Sequence, residues 1–193
     1  MRTFLGYTSG LIALAAYIPY FISILRHKTR PERMSWLIWT VLGIIAFTSQ
    51  LAKGASTSLW LVGSLTSGGL CVLLLSVYFG SGGIKKSDML ALFFTIVGLS
   101  LWYATQNAAL ALIMGIAIGS ASAILTAMKA YEQPNSEAQL TWLLASIAGL
   151  LALASIKPLT LILAAYPLYI FVTNLGILFS ILLGQRQAAI KHG

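Results

Sequence analysis

Between Asp88 and Lys129 the chain runs for 40 residues without an Asp, Glu, Lys or Arg, and further charge-free stretches fill residues 3–25 and 158–185. Stretches that long and that apolar cannot coat a water-soluble domain. The composition agrees: 59% of the 193 residues are hydrophobic and 8% are charged, with a mean hydropathy of +0.89. A soluble domain carries about 25% charged residues. The chain is therefore expected to be an all-α integral membrane protein. The first apolar run is too long for a signal peptide and lacks a small-residue cleavage site.

A membrane-crossing helix takes about 20 apolar residues. Read between charged and glycine-rich breaks, the chain offers seven: 4–25, 35–52, 58–79, 88–105, 108–128, 139–155 and 159–184. The 40-residue run supplies two of them, divided at Gln106 and Asn107. Lys and Arg in short loops collect on the cytoplasmic side. With seven crossings, one side receives Arg26, Lys28, Arg30, Arg33, Lys85, Lys86, Lys129, Arg186 and Lys191, while Arg2, Lys53 and Lys157 fall on the other. The N-terminus is then outside and the C-terminus cytoplasmic, in a cell (inner) membrane. The net charge of +8 is read as this topology signal and not as a nucleic-acid surface. The cluster "RHKTRPERM" anchors the first loop and suits anionic lipid heads, with Pro31 opening the next helix.

The chain also echoes itself. "ILRHKTRPERMSWLIW" and "ILTAMKAYEQPNSEAQLTWLL" align Arg26 with Lys129, Pro31 with Pro134 and, after three extra residues, Trp36 with Trp142. Lys53 falls opposite Lys157, and the third helix of each unit ends at a glycine, Gly80 and Gly184. The expected organisation is a three-helix unit at 1–80, a linker helix within 81–107, a second unit at 108–184 and a cytoplasmic tail at 185–193. Three crossings invert a unit and a fourth restores it, so this 3+1+3 arrangement makes the two repeats parallel. Parallel repeats are a transporter plan, with substrate held near the midplane between the halves.

This plan resembles that of the SWEET sugar transporters and the wider PQ-loop superfamily, which includes the half-size SemiSWEETs. Locally, Pro19-Tyr20 followed by "FISILRHKT" is similar to the Pro-Gln motif and its basic segment. The resemblance implies a transporter that alternates access through proline-dependent bending, with a substrate-binding asparagine in the third helix of each unit. Asn174 falls at that place in the second unit; the first unit has Leu70 there.

The residues themselves support a binding site. A proline inside a helix removes a hydrogen bond and bends it, so Pro19 and Pro167 are hinge candidates. Asn174, near the middle of the last helix, is too costly to leave unpaired in hydrocarbon. Gln50 shares a helix face with Trp39 by the 3.6-residue period, and amide plus aromatic suits a pocket for a polar solute. Ser67, on a small-residue stripe with Ser64, Gly68 and Cys71, and Phe171 complete the candidate site. Trp36, Trp60 and Trp142 are read as interfacial anchors, and Gly115 with Gly119 as a helix-packing pair.

No carboxylate or histidine falls deep within an expected crossing, as a proton-coupled carrier would need. Neither HExxH, an intramembrane Asp pair nor a Ser/His/Asp set is present, the last helix lacks a central lysine for retinal, and Cys71 is alone. No enzyme activity, cofactor or metal is expected. The leading expectation is a facilitative uniporter of a small polar solute, sugar favoured, with membrane lipids as neighbours and self-association left open. The alternative is a non-transporting receptor or scaffold on the same fold. A transporter should bring Asn174 and Gln50 to one cavity.

Overall fold

A chain in hydrocarbon must satisfy its backbone polar groups within itself, which favours helices. The computed structural model describes residues 1–80 and 107–192, together with positions 89, 93, 96, 97, 100 and 104. Among the described residues there are six α-helices and no strand. They are α1 (Arg2–Leu25), α2 (Arg33–Ala52), α3 (Leu59–Phe79), α4 (Ala108–Glu132), α5 (Gln139–Ser155) and α6 (Leu161–His192), with a 3-10 turn, Pro134–Ser136, between α4 and α5. All but the 17-residue α5 are long and apolar enough to cross a membrane, the make-up of a multi-pass membrane protein. The expected linker helix at 88–105 lies outside the described residues, apart from the isolated positions above.

The surface and the interior exchange their usual characters. Leu11, Leu14, Ile18 and Ile22 of α1, Leu70, Leu74 and Val77 of α3, and Leu168, Val172 and Phe179 of α6 are exposed, whereas Ser9, Ser49, Gln50, Ser76 and Ser146 are buried. A water-soluble monomer rarely exposes continuous apolar faces of this kind.

Local chemistry sets the helix ends. Glu32 caps α2, its Oε2 accepting from Ser35 N at 2.7 Å, so Pro31 precedes the cap and does not open the helix. Asn107 Oδ1 caps α4, accepting from Ala109 N and Leu110 N at 3.1 and 3.2 Å. Gly80 ends α3 in extended backbone. Gly184 does not end α6, which continues as helix to His192. One glycine costs only about 1 kcal/mol in a helix, and the Gln, Arg, Ala and Lys that follow are good helix formers. The expected tail at 185–193 is therefore a continuation of the last helix through residue 192.

Packing divides the helices into two groups with one plan. In the first, α3 lies between α1 and α2; in the second, α6 lies between α4 and α5. Across the groups α1 packs on α5 and α2 on α4, closing a ring. Exchanging the groups maps one of these contacts onto the other. Both pairs are antiparallel. Arg2 Nη1 donates to Ile156 O (3.2 Å) and Ser9 Oγ to Ala148 O (2.7 Å), joining the start of α1 to the end of α5. Leu42 of α2 sits over Gly115 and Gly119 of α4, the packing role expected for that glycine pair. Thus α1 and α4 run in the same direction.

The same close approaches recur in both groups. Gly43 lets α2 meet Thr66 of α3, and Gly149 lets α5 meet Phe171 of α6. Gly80 packs on the Pro31 carbonyl just before α2, and Gly184 on that of Tyr131 in the last turn of α4, each at the connection between its group's first two helices.

The two ends of the bundle differ in charge. One gathers the α1–α2 turn, Gly80, the α4–α5 turn and the last turns of α6, tied by Thr29 Oγ1 to Ser136 O (3.4 Å) and Arg33 Nε to Ser76 O (2.8 Å). It carries Arg26, Lys28, Arg30, Arg33, Lys129 and Arg186 and is called the basic end below. Arg2, Lys53 and Lys157 stand at the opposite end. The chain leaves α3 at the basic end and enters α4 at the opposite end, so residues 81–107 connect the two.

Candidate functional site

The helical period decides which side chains meet between the groups. On α6, Tyr166, Tyr169, Ile170, Thr173, Asn174 and Ile177 fall at spacings of three and four and form one face. On α2, Trp36 and Trp39 do the same; on α5, Thr141, Trp142 and Ala145. These faces, with Tyr17 of α1, Leu65 and Gly69 of α3 and Ala123 of α4, surround a cavity of about 80 Å³. A water needs about 10–15 Å³ measured this way, so the space holds several waters or part of a small solute.

Aromatic rings make the walls. Trp36 and Trp39 stand nearly perpendicular, 87° apart with centroids at 5.3 Å, and Trp39 meets Trp142 across the groups at 6.4 Å and 71°. Tyr17 lies 6.2 Å from Trp36, and its hydroxyl donates to Leu65 O at 2.8 Å. Trp39 Nε1 points to Gly119 O at 3.5 Å.

Few polar atoms in this wall are left for a guest. Asn174 Nδ2 donates to Ile170 O of its own helix at 2.8 Å, which leaves Oδ1 for the cavity. Thr173 Oγ1 is bonded to Tyr169 O at 2.7 Å. Thr141 Oγ1 is buried without a partner. An unsatisfied buried polar group costs about 1–3 kcal/mol, a cost that a bound hydroxyl or amide removes. Among the described residues no charged side chain lines the space.

Asn174 and Trp39 are thus brought together. Gln50 is not with them, so the convergence expected of a transporter is met by Asn174 alone. It is fully buried near the opposite end of α2, where its Oε1 accepts from Ser58 Oγ at 2.8 Å and its Nε2 has no partner. The helical period places Gln50 and Trp39 on one face, but eleven residues separate them by roughly 16 Å along the axis. The period gives angle around the helix axis and not height along it. Ser67 is exposed on the outside of α3, its hydroxyl bonded to Gly63 O at 2.8 Å. Phe171 is half-buried against Gly149 on the α5 side of α6 and is not part of the cavity wall. Pro19 and Pro167 lie inside α1 and α6, which continue as helix through them.

Two tryptophans move from the periphery to the centre. Trp36 and Trp142, read as anchors, are each 6% exposed and line the cavity. Their alignment in the repeat was the available signal, since an interfacial anchor has no need to recur at one register. Trp60, the third, is half-exposed and meets Tyr7 edge-on at 4.8 Å.

Glu137 gave no such signal. It belongs to a turn by sequence, yet it is 9% exposed. Its Oε1 pairs with Lys129 Nζ at 3.0 Å, and its Oε2 is buried without a hydrogen bond. Burial raises its pKa above the ordinary carboxylate value, against the opposing pull of Lys129. The chain matches no protein-family model, no curated protein and no solved structure.

Proposed function

We propose that this chain is a membrane carrier that holds a small, uncharged, polar solute in the cavity between its two helix groups. The observation that carries this reading is the wall itself: tryptophan faces at steep angles, the free carbonyl oxygen of Asn174 and the unpartnered hydroxyl of Thr141. Flat aromatic faces accept the C–H face of a sugar, while the amide and hydroxyl take its O–H groups. The absence of a lining charge among the described residues favours a neutral guest over an ionic one.

The architecture supports a carrier of the SWEET or PQ-loop type. Each group packs its third helix between the first two, and the groups run parallel. Residues 81–107 must connect opposite ends, and 27 residues as helix extend roughly 40 Å, enough for one more crossing. A crossing at 88–105, as read from the sequence, would complete the 3+1+3 plan. By the charge asymmetry the basic end is cytoplasmic and Met1 external. Solute moves down its own gradient, with Pro19 and Pro167 as bending points.

Thermal stabilisation of the purified protein, measured across neutral polyols, amides and amino acids, identifies the guest by mass action. Counterflow of that guest in liposomes then tests carriage. Stabilisation by a neutral polyol and counterflow without a pH or sodium gradient are expected. Binding without counterflow would make the protein a receptor and remove the carrier reading.

A further inference from the structure

Behind the cavity wall, at the basic end, three groups from different helices surround a carboxylate that the proposed carriage does not use. Lys129 of α4 holds Glu137 Oε1 at 3.0 Å. Tyr20 of α1 and the indole of Trp142 on α5 are near enough to act on its charge. Glu137 Oε2 and Trp142 Nε1 are complementary, an acceptor and a donor, and both are buried without a hydrogen bond to any described residue.

We infer that Glu137 is a positioning residue for Trp142: its charged carboxylate draws the indole N–H toward the basic end and so sets the tryptophan face in the cavity wall, and a proton on Glu137 releases it. The inference rests on the cavity being the binding site. Charge is the operative property. Ionised Glu137 is acceptor-only, and a hydrogen bond to an ionised acceptor is roughly twice as strong as a neutral one. Protonated, it is left with a weaker, neutral acceptor for the indole, because Lys129 already occupies Oε1 and the proton takes up part of Oε2. Lys129 is partly exposed while Glu137 is buried, so the ion pair reaches the aqueous phase at the basic end. Protons therefore come from that side. Burial moves the titration above the usual carboxylate range, and Lys129 restrains the shift.

The test uses the full chain in detergent with its tryptophans labelled with ¹⁵N, the Trp142 indole resonance being assigned by its loss in Trp142→Phe. This resonance should move with pH, with a midpoint above about 4.3, the ordinary value for glutamate. In Glu137→Gln it should stay fixed across the same range. In Lys129→Met the midpoint should rise, because a nearby cation that favours the carboxylate is gone. With glucose as the probe of binding, affinity should fall on the order of tenfold as Glu137 protonates, and Glu137→Gln should be weak at every pH. A Trp142 resonance that ignores pH, or one that still titrates in Glu137→Gln, overturns the inference. An intact titration with no binding of glucose or any other neutral polyol leaves the inference standing and removes the proposed solute.

Discussion

The two helix groups share a skeleton and divide the chemistry. Both place the third helix between the first two, both use a glycine where the second helix approaches the third (Gly43 and Gly149), and both set a tryptophan one turn into the second helix (Trp36 and Trp142). Yet the α1–α3 group gives the cavity mostly aromatic and aliphatic surface. The α4–α6 group gives Asn174, Thr141 and Thr173, and the buried Glu137 behind Trp142. Packing constrains the shared positions, because they hold the helices at their spacing. A binding site needs only one copy of each polar group, so the remaining positions are free to diverge.

The glycines offer the largest effect and the sharpest contrast. A Cβ at Gly149 would lie 2.7 Å from the Phe171 nitrogen and 3.1 Å from the Pro167 carbonyl oxygen, both backbone atoms that cannot step aside. At Gly43 the obstacles are the Thr66 hydroxyl and its Cβ, which belong to a side chain. Gly149→Ala is expected to lose about 3 kcal/mol, the upper range for overpacking. Gly43→Ala should lose about 1 kcal/mol, and Thr66→Ala should restore most of it. Unfolding in detergent measures both. Equal losses would mean that the skeleton is shared to a finer degree than the contacts indicate.

The next contrast pairs Asn174 with Leu70, its counterpart in the first group. Asn174→Ala should weaken solute binding by about 1–3 kcal/mol, the effect of one unpaired polar group, with little change in stability. Leu70 is half-exposed on the lipid-facing side, and Leu70→Ala should leave affinity unchanged. Gln50→Ala should lower stability by about 1 kcal/mol through Ser58 and spare binding. The double variant with Asn174→Ala should be additive, as for sites more than about 10 Å apart. Calorimetric titration would reveal coupling between the two, and coupling would return Gln50 to the site.

These cases also mark what the sequence made legible. Five of the six described helices fall within about four residues of their expected bounds at both ends, because charged residues mark where hydrocarbon stops. The register of the repeat was visible through Trp36 and Trp142. Depth was not: a helical period gives angle around an axis and says nothing of the distance along it, which is why Gln50 and Asn174 looked like neighbours. The end of α6 was misplaced because a single glycine is too weak a breaker to stop a helix whose next residues favour one. Glu137 was hidden because the burial of a turn depends on what packs over it, here α1 with Tyr20, distant in sequence, beside the adjacent α4 with Lys129.

The smallest expected effect concerns Glu137 and stability. Its folded pKa is raised by burial, so its contribution is present at pH below the unfolded value and is lost as pH rises through the folded one. The melting temperature should decline across that window. Glu137→Gln should flatten the decline and, at neutral pH, match or exceed the native protein by about 1 kcal/mol, roughly 2–4 °C in Tm. No residue in the α1–α3 group should show this dependence. A decline that persists in Glu137→Gln would place the titrating group elsewhere.

The 32 residues of α6 run on as continuous helix well past Pro167, and beyond that point the helix is a rod that converts angle into travel. Pivoted at Pro167, a tilt of about 10° carries Asn174 by roughly 2 Å and the last turn near His192 by roughly 6 Å. A movement hardly larger than a side-chain adjustment at the cavity is magnified threefold at the far tip. The tip of α6 is accordingly the place on the molecule where a spectroscopic ruler would read the cavity's state with the greatest gain.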